Sequence, residues 1–388
     1  MKHLFTLLAL TVGFSMNGQL VSVTENGNTG QRLQTSNASN HGNIGSNAVD
    51  LSYSSASSTT RGATGNYSTA MGSSVTASGS QATAIGNNTR AFGDGSTAIG
   101  VNTEASGNFS IAMGSQATAS GDYSTTMGIG TTASGDYSTA MGYSTTASAS
   151  SSTSMGYFTT ASGIRSTAMG NDTEASGSVS TAMGNFTEAS GNGSTAMGIS
   201  TTASGNNSTV MGDNTTASDY GSLVIGQFNL SGATVTNSAT QFNTANTAFV
   251  IGNGVDGSSQ SDAFSVLFSG ETVIGSDLEV KGNVLISSDA RLKANIVSLG
   301  STLAKLLLID GKRYTMKKDG KQNIGVLAQD IQKVFPELVS TDDKEMLAVN
   351  YQGLVPVLIN ALKEQDAKMK EQEKRLERLE AIISKIER

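Results

Sequence analysis

From Gly65 to Gly232 this chain repeats every fourteen residues without a single insertion, and that period limits what it can fold into more than any other feature. The units run "GNYSTAMGSSVTAS", "GSQATAIGNNTRAF", "GDGSTAIGVNTEAS" and onward to "DYGSLVIGQFNLSG" at 219–232, twelve in register. A degenerate copy, "LSYSSASSTTRGAT", fits the same frame at 51–64. The chain has no Trp, two Pro and 45 Gly, and residues 19–240 hold few of the large apolar side chains that fill an ordinary core. Such a region is either disordered or held by stacking one unit on the next, and the strict period selects stacking.

Each unit reads as two short strands. In "STAMG" successive side chains point to opposite faces. Met71 begins a ladder of Met or Ile that ends at Ile225, and the expectation is that this apolar ladder faces inward. Ala70, Ala84 and Ala98 begin a ladder of mostly small residues on the opposite face, expected to pack against another chain. Ala77, Ala91 and Ala105 mark the second strand. A Gly follows each Met or Ile, from Gly72 to Gly226, and another usually opens the unit, where a sharp turn is expected. Two strands per unit make one coil of a parallel β-roll, about 4.8 Å long, so roughly 58 Å for twelve coils. One Met per coil is a thin core, which points to an oligomer.

Tyr67, Phe109, Tyr123, Tyr137, Tyr143, Tyr157, Phe158 and Phe186 fall outside the ladders, at expected turns. A single exposed aromatic needs no explanation. The array favours adhesion, to a cell-surface glycan or a protein ligand. The repeat "STAMG…TTASG" resembles the head repeat of trimeric autotransporter adhesins, the YadA-like heads. That resemblance implies a left-handed parallel β-roll of three chains side by side. Those adhesins end in a membrane β-barrel, whereas this chain ends "SKIER" with no barrel pattern, so no transmembrane anchor is expected.

Charge divides the chain at Ser287. Residues 1–287 carry six basic and sixteen acidic side chains, and residues 288–388 carry eighteen and fifteen. The long part has no basic stripe, which argues against nucleic acid. The start, "MKHLFTLLALTVGFSMNGQL", places Lys2 before an apolar run from Leu4 to Phe14, as in a secretory signal at 1–18, cleaved after Ser15 or Gly18. "GNGVDG" at 252–257 fits G-x-G-x-x-G, but no amphipathic helix follows, so it reads as a turn between strands. Residues 19–64 form an N-terminal segment, and 233–287 alternate like a β-rich stalk. No cofactor and no metal site are expected; the two His residues are His3 and His41, and there is no Cys.

The tail, 288–388, reads as a small α+β domain. "IGVLAQDIQKVFPELV" at 324–339 puts Leu327, Ile331, Val334, Phe335 and Leu338 at helical spacing. From about 355, Val355, Leu358, Leu362, Met369, Leu376, Leu379, Ile383 and Ile386 occupy a and d positions of one heptad frame, with Gln365 and Gln372 at polar d sites. This is a coiled coil, and Ile at both a and d in the last heptad leans toward three strands. Before Leu362 the helix is expected to pack on its own domain.

At the seam stands "SSDARLKAN". Without His or Cys in the tail, a serine nucleophile would need another base, and a desolvated Lys can serve. Lys293 lies five residues from Ser288, a spacing that does not share a helix face, so on spacing alone Ser288 or Asp289 reads better as a helix cap. The order "SDARLKANI", "RYTM", "IGVLAQDIQKVFPELV", "VNYQGLVPVLINALKE" and a terminal coiled coil is similar to the intramolecular chaperone auto-processing domain of tail spikes, tail fibres and some bacterial surface proteins. That resemblance implies a single-turnover Ser-Lys peptidase acting on itself, with Ser288 as nucleophile, Lys293 as base and Ser287–Ser288 as the bond cut. Together the readings describe an exported homotrimeric fibre with a self-cleaving chaperone tail. The competing readings are a phage tail fibre or tail spike of the same architecture, and an ice-binding roll. The last is disfavoured because the Thr69, Thr83 and Thr97 ladder shares its parity with the expected inward Met.

Overall fold

The computed structural model describes residues 19–317, 320–341 and 345–386, so the expected export signal lies outside the described residues. The chain divides into two compact units, one ending at Glu279 and the other beginning at Val280.

The first unit is a parallel β-roll. Long strands of five residues, Thr69–Ser73 to Leu223–Gln227, stack with every residue over its equivalent fourteen positions on: Thr139 over Thr153, Met141 over Met155, Gly142 over Gly156. Two-residue strands, from Gly62–Ala63 to Thr216–Ala217, form a second sheet in the same register. In the coil 135–148, Ser138, Ala140, Thr145 and Ala147 are fully buried between the two sheets, while Thr139, Met141 and Thr146 are half-buried and Tyr143 is exposed.

The expected sidedness is therefore inverted. The alanine ladder is the interior of the roll, and the methionine ladder stands on the outside of a single chain. Two sheets joined by turns of a few residues lie too close for Met side chains to meet between them, so only short side chains fit: Ala, Ser, Thr and, at Val75, Val210 and Val224, Val. The Thr69 ladder lies outward with the methionines, so burial does not disqualify it as an ice-binding rank; the longer Met beside each Thr does, because it breaks a flat surface. Several interior hydroxyls, among them Ser138 Oγ and Thr145 Oγ1, have no hydrogen-bond partner. In four other coils the equivalent serine donates to the carbonyl three residues back, as Ser110 does to Gly107.

The glycines have two different causes. Gly142 has φ +124°, and a Cβ there would lie 2.0 Å from the Gly156 carbonyl oxygen of the next coil. The glycine that opens the unit is not in the left-handed region, contrary to the expectation of a sharp turn there. It is required because a Cβ on Gly121 would sit 2.1 Å from the Gly135 oxygen. The left-handed turn residues are the third and tenth of each coil, such as Tyr137 (φ +60°) and Ser144 (φ +50°). Phe109, Tyr123 and Tyr137 stack there, with centroids 5.2 and 5.1 Å apart. Tyr143 and Tyr157 end long strands instead of occupying turns, and they stack at 5.0 Å.

Both ends of the roll are closed by polar groups. At the start, the hairpin Leu20–Glu25 and Asn28–Leu33 leads to Val49–Tyr53, which pairs with Thr69–Ser73 at an offset of twenty residues. The expected frame at 51–64 thus holds for the short strand Gly62–Ala63 only. Beneath it Arg32 is buried against Glu25 (2.8 Å) and Asp50 (3.3 Å), and His41 Nδ1 lies 3.0 Å from Asp50. Burial raises the Asp50 pKa, but hydrogen bonds from His41 and Ser52 outweigh it and leave the carboxyl below its usual range. At the far end, buried Asp219 accepts the backbone N–H groups of Thr236 and Thr247, each at 2.7 Å. The strand Thr247–Asn253 then adds one more parallel rung, and Asp262–Leu267 turns back antiparallel after the "GNGVDG" loop. Of the expected stalk, Thr272–Ile274 is the last strand.

The second unit has a small core of Ile331, Phe335 and Val357, flanked by Leu306, Val326, Leu338 and Leu354. It contains helices α1 (Leu303–Leu306), α2 (Ala328–Val334) and α3 (Leu354–Ile386), and the hairpins Lys312–Thr315 with Gln322–Gly325 and Val339–Thr341 with Leu347–Val349. Leu327 precedes α2 and is exposed, so the expected apolar stripe begins at Ile331. On α3, Val357 and Ala361 pack inward, while every heptad residue from Val355 to Ile386 is at least half exposed in one chain. Among the described residues no helix is long and apolar enough to cross a membrane.

The stacking account yields a paired test. Gly142→Ala should cost about 3 kcal/mol or more, because carbonyl and Cβ cannot both keep their places. Ser144→Gly, two residues on, should leave stability unchanged or raise it by up to about 1 kcal/mol, since it relieves a left-handed non-glycine. Denaturant midpoints of the two variants check this; similar losses in both would show that the approach of Gly142 to the next coil is not what selects glycine.

Candidate functional site

Ser288 and Lys293 come together through one turn of 3-10 helix. Asp289 caps Ala290–Leu292, its side chain accepting from the Arg291 N–H at 2.8 Å, and the Lys293 N–H bonds the Ala290 carbonyl at 3.1 Å. The single turn stands between two extended residues, Asp289 (ψ 136°) and Lys293 (ψ 142°), and the bend so made lets the side chain of residue 293 reach back to residue 288. The Lys293 Nζ donates to Ser288 Oγ at 2.7 Å. The bend that the five-residue spacing demands is thus supplied within one chain. The cap reading for Asp289 and the pairing of Ser288 with Lys293 hold together, since the cap shapes the turn.

Arg291 does not reach Ser288. Its guanidinium grips Asp289 through Nε (3.1 Å) and Nη2 (2.8 Å), leaving Lys293 as the amine beside the hydroxyl. The Arg291 hydrogen bond holds the Asp289 carboxyl below its ordinary value. All four side chains are exposed in the single chain.

Sequence reasoning missed Glu364. It falls at a solvated heptad position of α3, yet it accepts from the backbone N–H of Thr302, from the Ser301 hydroxyl at 2.7 Å and, at longer range, from the Leu303 N–H. Glu364 thereby caps α1, whose own Thr302 makes no side-chain cap; the Thr302 hydroxyl bonds the Val357 carbonyl instead. The signal was "GSTL" at 300–303, a helix start without an acid three residues on. The buried His41, Asp50 and Ser52 group is not a second nucleophile site, because Ser52 Oγ and Asp50 address the same ring nitrogen of His41.

An all-β roll of stacked coils followed by a small α+β unit with an exposed apolar helix defines a fibrous repeat protein carrying an assembly module. The family models agree with that class: residues 288–340 match the chaperone of endosialidase, and seven matches between residues 77 and 229 are to the YadA head domain repeat. The chain therefore carries YadA head repeats ahead of a chaperone segment of an autoproteolytic peptidase type, and repeats of this kind imply trimer formation. No curated protein matches the chain.

The Glu364 clasp is expected to loosen in acid. The Thr302 N–H, then the Ser301 hydroxyl, hold its carboxyl below the ordinary 4.5. A lowered carboxyl stabilises the fold above its unfolded value and ceases to do so as pH falls through the folded one. The protection factors of the Thr302 and Leu303 amides, taken against unstructured peptide at the same pH, should therefore fall on acidification below about pH 4.5, and Glu364→Gln should flatten that dependence. An unchanged pH profile in the variant would assign the effect to another group.

Proposed function

We propose that this chain is an exported, homotrimeric, adhesin-like surface fibre whose C-terminal unit brings three chains into register and then cuts itself away between Ser287 and Ser288. The observation that carries the reading is the 2.7 Å contact between Lys293 Nζ and Ser288 Oγ at the head of the chaperone match. Residues 1–18 serve export, 65–232 form the head, 233–287 the stalk and 288–388 the releasable tool.

Ser288 Oγ attacks the carbonyl carbon of Ser287. The new C–O bond forms as the C–N bond to Ser288 breaks, the hydroxyl proton passes to Lys293 Nζ and from there to the departing nitrogen. Water then hydrolyses the ester, leaving a Ser287 carboxylate and a free Ser288 amine. An exposed lysine amine is protonated at neutral pH and cannot take a proton. Burial penalises the ammonium and produces the neutral base. Assembly of three chains around the exposed heptad residues of α3 supplies that burial, so cutting follows trimerisation. In the same trimer the outward Met ladder, not the alanines, is the face that packs between heads.

Ser288→Ala and Lys293→Ala should each leave an uncut but trimeric chain, while the unaltered protein yields a fragment running from Ser288 to Arg388. N-terminal sequencing of that fragment decides the bond, and a start at any other residue sinks the dyad. Met141→Asp should leave the coil fold intact by circular dichroism but lower trimer affinity by at least about tenfold, since a charge would be desolvated at the contact. Sedimentation showing unweakened trimers would move the head interface elsewhere.

A further inference from the structure

Arg291 stands two residues from Lys293 and takes no part in the proton path. Its guanidinium engages both oxygens of the Asp289 carboxylate, Nε on Oδ1 at 3.1 Å and Nη2 on Oδ2 at 2.8 Å. Oδ1 also accepts the Arg291 N–H at 2.8 Å, and that bond alone is the cap. A second turn of the same kind shows that a cap here needs no charge. Asn37 caps the 3-10 turn Ala38–Asn40 with an uncharged amide oxygen, accepting the Ser39 N–H at 3.1 Å. The carboxylate and the guanidinium are therefore surplus to the winding of the turn.

What they share the turn with is the amine of the dyad. Lys293 Nζ donates to Ser288 Oγ at 2.7 Å, and Ser288 directly precedes Asp289. A carboxylate beside an amine favours the ammonium, whereas a second cation beside it favours the neutral amine. Lys293 must shed its proton before it can accept one from Ser288. A bare Asp289 opposes that step, and a carboxylate gripped through both oxygens is neutralised. The planar fork of arginine makes this bidentate grip, which a lysine cannot. Lys293 is exposed in the single chain, and the next charges along the chain are Lys281 and Lys305, twelve residues to either side. Asp289 and Arg291 thus set the local field of the turn.

Resting on the Ser288–Lys293 reading above, we infer that Arg291 is a positioning residue of the self-cleavage. By gripping Asp289 it holds the turn and keeps the carboxylate from fixing Lys293 in its charged form. The test follows the pH dependence of cutting. Full-length chain collected uncut in urea is diluted into folding buffer between about pH 6 and pH 10. Release of the fragment from Ser288 to Arg388 is timed against the amount of trimer. The unaltered rate should rise with pH to a plateau as the amine is freed. Arg291→Gln should move the midpoint of that rise alkaline by about one unit, cutting about tenfold more slowly at neutral pH but recovering toward the same plateau. Asp289→Asn, which keeps a capping oxygen, should move the midpoint the other way. The two substitutions together should return it close to the unaltered value. A residue that only shapes the turn would lower the plateau and leave the midpoint in place. Unmoved midpoints, or a double variant as displaced as Arg291→Gln alone, would overturn the inference. Should Arg291→Gln fail to assemble, Asp289→Asn decides: an acid shift supports the inference, and an unmoved or alkaline midpoint overturns it. Normal cutting in Ser288→Ala or Lys293→Ala refutes the dyad itself, whereas uncut chains in both with unmoved midpoints at 289 and 291 refute this inference alone.

Discussion

Everything in the first unit depends on the contact between one coil's glycine and the next coil's carbonyl. At each long strand the backbones approach so closely that a single Cβ would overlap an oxygen, and that approach locks the fourteen-residue register. Once it is fixed, ladders of identical residues follow: alanines inside, methionines outside, asparagine and aspartate caps at the turns. The caps show the same logic, since Asp122 takes the Asn108 N–H and Asp136 takes the Asp122 N–H, one coil apart. At Ala149, which replaces an opening glycine, the extra turn hydrogen bond made by Gly135 to Ala147 has no counterpart, so the backbone gives way locally to admit a methyl group.

The period made the roll legible from the sequence, and the heptads made the terminal helix legible. Sidedness was not legible. Alternation tells which residues share a face but not which face is inside, and the habit of placing the larger apolar residue inward fails when the interior is one alanine wide. Met141 and Ala140 differ less in polarity than in size, and size decided. The opening glycines were legible as necessary but for the wrong cause, because a close approach between coils and a left-handed turn leave the same letter in the sequence. The N-terminal frame failed for a related reason: Val49–Tyr53 enters the sheet through a longer loop that the fourteen-residue template does not contain.

At the seam the residues were legible but the geometry that joins them was not. A spacing of five argued against contact on an α-helix, and the chain answers with a 3-10 turn capped by Asp289. Glu364 was invisible for another reason. Its partners lie more than sixty residues away, and its heptad position reads as solvent. Such long-range capping is where a local reading of a helix runs out.

The equal offset between all twelve coils, closed by dedicated polar groups at both ends, makes the head a ruler with a fixed graduation. Removing or adding fourteen residues between Gly65 and Ser218 leaves both closures and every ladder intact, and changes reach by about 4.8 Å. Any other change shifts each downstream side chain off its rung. Because every coil carries the same glycine contact, lengths differing by whole coils are mechanically alike, and three chains can pack together only if all have the same number of graduations. Reach can therefore vary between related fibres in discrete steps, while strands of unequal length within one fibre exclude each other.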